Sequence, residues 1–216
     1  MRRRRTHHST AVKLSLFVAA LAAFYGSYYL GNRHASIEPR FLNFTELRNP
    51  QAVIVPILRD QYGNPFDHQQ LLGHWSLVIF GYTEAAESLR SGLTLITQVK
   101  NGLALQRDLQ RVTRGILITV DPDTDRPEVL NAFMARYSPD YLALTGSPEN
   151  IQSIARSLGV VIKRSPAPGT KGFRIDHSSS IALINPDADL IGLFTGAVDA
   201  ASIAADITRL AMKEAE

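Results

Sequence analysis

Cysteine is absent from the 216 residues of the chain. The absence excludes disulfide bonds, thiolate metal ligands and a cysteine nucleophile, because each of these needs a cysteine sulfur atom. It does not indicate the cellular compartment. Methionine is also sparse, with 3 residues, and the sequence contains no methionine-rich metal motif. Whatever the protein does, it does so without the soft sulfur chemistry of a cysteine pair.

Acidic residues are missing from the N-terminus, since none precedes Glu38. The same stretch carries Arg2, Arg3, Arg4, Arg5 and Lys13, which together outweigh the formal net charge of +3, so the rest of the chain is slightly acidic. We interpret the basic cluster as a signal of membrane topology and not as a nucleic-acid surface. No nucleic-acid partner is expected.

Charge is also missing from residues 14–30, a run rich in leucine, alanine, phenylalanine and tyrosine. Counted from Ala11, the run reaches the roughly 20 residues that a membrane-spanning helix needs. We predict a transmembrane anchor over residues 11–31 and a basic cytoplasmic N-terminus over residues 1–10. The alternative is a cleaved signal peptide, because residues 20–22 read Ala-Leu-Ala. Both interpretations place the body of the protein outside the inner membrane, in the periplasm.

Short apolar runs alternate with amphipathic helical patterns in the rest of the chain, after a linker predicted over residues 32–51. Three runs are typical of buried strands, namely Ser76–Phe80, Gly115–Val120 and Tyr141–Leu144. Strands that alternate with helices predict a parallel sheet. Ile181–Ile184 and Leu190–Phe194 flank a polar turn and predict a closing antiparallel hairpin. This order indicates an α/β, thioredoxin-like fold with a central mixed sheet over residues 52–216.

Four segments, in this order, resemble the signatures of the Sco/SenC family, the copper chaperones of cytochrome c oxidase assembly. They are Leu71–Thr83, Thr119–Leu130, Leu144–Ser147 and Asp176–Ser178. The resemblance covers roughly residues 53–210. It implies a thioredoxin-like domain that is held at the membrane and serves in respiratory oxidase assembly.

The resemblance places the two metal-binding cysteines of the family at Ala85 and Leu89, and its third ligand at His177. Alanine and leucine carry no lone pair, whereas cuprous copper strongly prefers thiolates. The same loss removes thiol–disulfide exchange. We therefore expect no resident cofactor and no enzymatic activity. Copper is expected only through a site unlike that of the family, with His177 as the candidate ligand.

Two acidic residues flank the lost cysteine positions. Glu84 and Glu87 could join His177 around a harder divalent ion. The favoured interpretation is that both are solvated acids at a helix N-terminus, where the helix dipole stabilises negative charge. The segment that carries the cysteines in the family then becomes the first turn of the helix.

A second acidic group reads Asp121, Asp123 and Asp125. The spacing is similar to part of a calcium loop, but the glycine and glutamate that such a loop needs do not follow in register. We predict that these residues serve as turn and cap residues.

Three functional hypotheses follow. The leading one is a membrane-anchored accessory factor in cytochrome c oxidase assembly, with an oxidase subunit or another Sco protein as its partner. The second is a copper metallochaperone with an altered site that uses His177. The third is a thiol-independent, thioredoxin-fold binding module unrelated to the oxidase. A thiol oxidoreductase or peroxidase is not expected, because each needs a sulfur nucleophile on this scaffold.

Overall fold

The computed structural model describes residues 10–34, 44–166, 173–177 and 180–214. The chain divides into two compact units, residues 1–40 and 41–216. In the first unit, helix α1 covers Thr10–His34 and contains the predicted anchor. Among the described ranges, no helix is found that is long and apolar enough to cross a membrane. Of the predicted basic N-terminus, only Thr10 lies inside the described residues.

The second unit is built around a mixed sheet that has eight strands in the described part of the chain. The strands are β1 (Phe44–Ala52), β2 (Leu58–Asp60), β3 (Pro65–Phe66), β4 (Trp75–Gly81), β5 (Thr113–Thr119), β6 (Leu142–Gly146), β9 (Ile181–Ile184) and β10 (Asp189–Phe194). Their order across the sheet is β1-β10-β9-β4-β5-β6-β2-β3. A separate two-stranded ribbon is formed by β7 (Ile162–Pro166) and β8 (Phe173–His177).

The centre of the sheet is parallel, as the alternating pattern predicts. Strand β4 pairs in parallel with β5, and β5 pairs in parallel with β6. Strands β9 and β10 form the predicted antiparallel hairpin, and β9 adds to the free edge of β4. The α/β thioredoxin-like fold with a central mixed sheet is therefore confirmed. Every residue of β4 and of β5 is buried, which explains why these two strands read as continuous runs without polar alternation.

Five helices accompany this sheet in the described ranges, namely α2 (Ala86–Gly102), α3 (Arg107–Val112), α4 (Pro127–Met134), α5 (Pro148–Ser157) and α6 (Ala200–Glu214). Two of them begin at a proline, whose missing N–H has no helical partner at that position in any case. At the start of α5, Ser147 caps the helix by accepting a hydrogen bond from the backbone N–H of Asn150 at 3.3 Å. Local sequence signals therefore place these helix starts.

The sheet buries one apolar layer on each face. On one side, Leu77 and Ile79 of β4 pack with residues of α2, α4 and α6. On the other side, Val78 and Phe80 of the same strand pack with α5 and with β2 and β3. Successive side chains of a strand point to opposite faces, so β4 serves both cores. The C-terminal end of β4 is consequently held in position from both sides.

Strand β1, except for its last residue Ala52, lies within residues that the sequence assigned to a linker. It pairs antiparallel with β10 from Phe44 to Ala52, and the Phe44 ring lies 4.7 Å from the Phe194 ring, centroid to centroid. The folded unit therefore starts before residue 52. Most side chains of β1 are exposed, so the strand lacks the apolar alternation by which a half-buried strand is recognised. Of the predicted linker, residues 35–43 lie outside the described part of the chain.

Candidate functional site

The candidate site lies at the C-terminal end of β4, where the resemblance places the metal-binding loop. Residues Thr83–Ala85 form a single 3-10 turn, and α2 begins directly at Ala86. No separate loop stands between strand and helix. The prediction that the segment forms the first turn of the helix holds from Ala86 onward, whereas Ala85 lies in the 3-10 turn that precedes it.

Leu89, at the position of the second family cysteine, is a core residue. Its side chain is 3% exposed and belongs to the same apolar layer as Leu93 and Ile96 of α2. It packs tightly on β4, because a Cβ added to Gly81 would lie 2.9 Å from Leu89 Cδ1. Ala85, at the first cysteine position, is half-buried. Neither side chain has a donor atom, so these positions do not fit a thiolate copper site.

Asp125 is the polar centre of the site. Its carboxylate is fully buried and accepts hydrogen bonds from the backbone N–H of Thr83 at 3.1 Å and from the Thr83 hydroxyl. The hydroxyl of Thr119, the last residue of β5, donates to the same carboxylate at 2.7 Å. Asp125 therefore ties the 3-10 turn to the end of the neighbouring strand.

The prediction that the acidic group forms turns holds for the backbone of Asp125, whose N–H donates to the carbonyl oxygen of Asp121 at 2.9 Å. The sequence did not reveal the second role of its carboxylate. Asp125 and Thr83 are 42 positions apart, and only the closeness of the β4 and β5 ends brings them together. The signal that could have pointed to this contact is the position of both residues just after adjacent parallel strands.

Glu84 and Glu87 are both exposed and line a shallow surface depression with Ala85 and Ser88. Within the described ranges, no three histidine, aspartate or glutamate side chains are grouped closely enough to hold a metal ion. The arrangement fits the interpretation of solvated acids at the start of α2, where they face the positive end of the helix dipole.

His177 is the last residue of β8, and its backbone is paired with that of Ile162 in β7. Its side chain lies outside the described part of the chain. The role of His177 as a metal ligand therefore stays a prediction.

A second polar cluster lies at the opposite, N-terminal edge of the parallel strands. The guanidinium of Arg114 is buried beside Ser76, whose hydroxyl accepts from Nε at 3.3 Å, and burial lowers the pKa of Arg114 to about 10. Burial also lowers the pKa of His74, and the positive charge of Arg114 adds to this effect. His74 Nδ1 is buried and has no hydrogen-bond partner among the described residues. The folded protein therefore favours the neutral imidazole.

This cluster predicts a loss of stability in mild acid. The charges that face His74 are Arg114 and Lys100, which oppose its protonation, and Asp140, which favours it. Because the pKa of His74 is lower in the folded than in the unfolded chain, the unfolded chain takes up the proton first as pH falls below about 6.5. Urea unfolding at about pH 7.5 and about pH 5.5 should show that the free energy of unfolding falls more for the wild type than for His74→Gln as the pH is lowered. An equal fall in the free energy of unfolding for both proteins would show that His74 does not cause the loss of stability.

Comparison with known proteins assigns the chain to a family. The family model described as SCO1/SenC matches residues 57–212. A protein of Stutzerimonas stutzeri that is named for copper binding is 29% identical over 182 residues, which cover 84% of this chain and 86% of that protein. The mitochondrial SCO2 homolog of Mus musculus is 33% identical over 138 residues, which cover 64% of this chain and 52% of that protein. The chain thus spans about half the length of this mitochondrial relative.

Solved structures agree with this assignment. Bradyrhizobium japonicum ScoI with copper bound has 25% sequence identity and a TM-score of 0.61, over 74% of this chain and 97% of that one. Arabidopsis thaliana ScoI with copper bound, at 21% identity and a TM-score of 0.66 over 76% and 98% of the two chains, shows the shared fold. The predicted resemblance to this family is confirmed by the family model, and the chain belongs to the SCO1/SenC family.

Proposed function

We propose that this chain is a membrane-anchored accessory factor in the assembly of respiratory cytochrome c oxidase that has lost the cysteine-based copper site of its family. The observation that carries the proposal is the burial of Leu89. A family ligand position is occupied by a core side chain that packs on β4. The fold is kept while the chemistry is removed, which favours a binding role over metal transfer.

Family membership supports the link to the oxidase. One structural neighbour, BsSco, is a member of the Sco family of cytochrome c oxidase assembly proteins, and it shares the fold of this chain with a TM-score of 0.54. A protein that keeps the family scaffold without its thiolates can still occupy a place in an assembly complex. The partner is then an oxidase subunit or a Sco protein that has its cysteines.

The length and the charge pattern of the N-terminal segment support an anchor in the inner membrane, although the described part of α1 is not apolar enough to be identified as a membrane-spanning helix. Helix α1 has 25 residues, a length of about 37 Å at 1.5 Å per residue, against a hydrocarbon core of about 30 Å. Residues 14–30 carry no charge, and the four arginines of residues 2–5 precede them. By the positive-inside rule the N-terminus is cytoplasmic and the domain lies in the periplasm.

Affinity capture from membranes tests this function. The full chain, expressed with an affinity tag at its C-terminus in cells that assemble the oxidase, is expected to recover an oxidase subunit or a cysteine-bearing Sco protein. The matched control bait is residues 1–40 fused to an unrelated soluble domain, which should recover neither. Capture of no respiratory protein, or equal capture by the control, would contradict the proposal.

The alternative function is copper transfer through an altered site, which the copper-bound family member ScoI favours. It requires His177, with Glu84, Glu87 or an external ligand, to replace two thiolates. We expect that the full chain will not compete for cuprous ion with a chromophoric chelator under anaerobic conditions, because carboxylates and a single imidazole are poor ligands for this soft ion.

Two variants decide between these functions. If the wild type does compete, His177→Ala should abolish the competition, whereas His68→Ala, which alters another histidine of the domain, should not. That result would establish the metallochaperone and overturn the leading proposal. The absence of competition by all three proteins would support a role without copper.

A further inference from the structure

A cavity of about 280 Å³ lies directly beside Leu89. It is bounded by the last residues of β4 from Ile79 to Gly81, by α2, by Ser180 and the first residue of β9, Ile181, and by residues 196–198 after β10. The cavity therefore lies at the carboxyl end of β4, the edge at which open α/β sheets generally bind their ligands. The cavity thus adjoins the second family cysteine position, which Leu89 occupies without a metal-binding atom.

The described lining of the cavity contains no charged side chain. Its apolar wall includes Leu89, Leu95 and Ile181, and its exposed rim includes two serines of α2. Both serine hydroxyls already donate to helix carbonyl oxygens, Ser88 to Ala85 at 3.1 Å and Ser91 to Glu87 at 2.9 Å. A third serine of the lining, Ser180, is buried. Because the described lining offers no opposite charge, the lost hydration of a charged ligand would not be offset by an ion pair, and the lining favours a neutral group with an apolar body.

The floor of the cavity consists of side chains that the core holds in place. Leu89 and Ile181 belong to the buried core, and Gly92 allows α2 to approach β4 so closely that an added Cβ would lie 3.2 Å from Ile79 Cδ1. Side chains held in this way lose little further freedom when a ligand binds. A preformed site therefore binds at a lower entropic cost than one that must be ordered.

The size of the cavity limits its occupant. Pockets for whole small molecules commonly measure about 300–1,000 Å³, while a cavity of about 150 Å³ suffices for benzene. A volume of about 280 Å³ suits one large side chain, and interfaces commonly use an aromatic or large apolar side chain as their anchor. We propose that the cavity binds one neutral apolar side chain, aromatic or branched, of the protein partner. This inference rests on the proposed function, because that function supplies the partner.

Titration with N-acetyl-phenylalanine amide tests the cavity. The full chain, labelled at its methyl groups and reconstituted in lipid nanodiscs, is expected to show saturable NMR shifts at Ile79, Leu89 and Ile181. Ser91→Trp, which places an indole at the rim, should weaken binding roughly tenfold or more. The matched control is Thr94→Trp, which adds the same group at an exposed position of α2 that does not line the cavity.

Absence of saturable shifts, or equal binding by Ser91→Trp and the wild type, would overturn the proposal. Shifts with toluene but not with the capped phenylalanine would also overturn it, in favour of a free small ligand. Affinity capture separates this test from the proposed function. A respiratory partner recovered equally by the wild type and by Ser91→Trp would leave the function standing and refute the cavity as its anchor. Cavity binding without any respiratory partner would refute the function instead.

Discussion

Replacing Asp125 with alanine is expected to lower the free energy of unfolding by about 3 kcal/mol or more. The carboxylate is fully buried and accepts from the N–H of Thr83 and from the hydroxyls of Thr83 and Thr119. Alanine leaves the buried hydroxyl of Thr119 and the half-buried N–H and hydroxyl of Thr83 without this acceptor, and each unsatisfied buried donor costs about 1–3 kcal/mol. Urea unfolding at neutral pH measures the difference.

The matched control for this change is Asp108→Asn. The Asp108 side chain is 98% exposed and its ion pair with Arg111 lies on the surface, so the expected change is within about 0.5 kcal/mol. Asp125→Asn is a milder test, since it keeps one acceptor oxygen but turns a donor toward the two threonines. A loss for Asp125→Ala no larger than that for the control would show that the carboxylate does not hold the turn.

Restoring the cysteine pair is expected to produce the largest functional change. The double variant Ala85→Cys, Leu89→Cys places two thiols four positions apart, one in the 3-10 turn just before α2 and one in α2 itself. Side chains at this spacing are neighbours on a helix. We expect the full-length variant to remove cuprous ion from a chelator with which the wild type cannot compete, because thiolates are the preferred ligands of this ion. Anaerobic titration of both proteins measures the gain.

The control for this gain is the double variant Ala85→Ser, Leu89→Ser, which makes the same positions polar and adds no sulfur. It should bind no cuprous ion. Addition of His177→Ala to the cysteine variant tests the predicted third ligand and should weaken the binding. If the cysteine variant takes up no cuprous ion, the backbone of the 3-10 turn and the start of α2, and not the missing sulfur alone, prevents a copper site. In that case the chain would have lost both the copper ligands and the backbone conformation that a copper site needs.

Much of the fold could be predicted because its signals are local. The runs that became β4 and β5 are apolar at nearly every position, since both faces of a central parallel strand are buried. The start of α5 follows from Ser147 and Pro148, which act on the first turn of the helix alone. Strand β1 escaped prediction because its partner β10 lies far along the chain and its own side chains are mostly exposed.

The candidate site divides in the same way. The absence of cysteine by itself excluded a thiolate copper site and thiol redox chemistry, because no arrangement of the backbone can supply a missing sulfur. Only the tertiary structure decided that Leu89 is a core side chain, that Asp125 holds Thr83, and that a cavity lies beside both β4 and α2. Each of these depends on how distant segments pack, and packing is a property of the assembled sheet and helices that no local pattern contains.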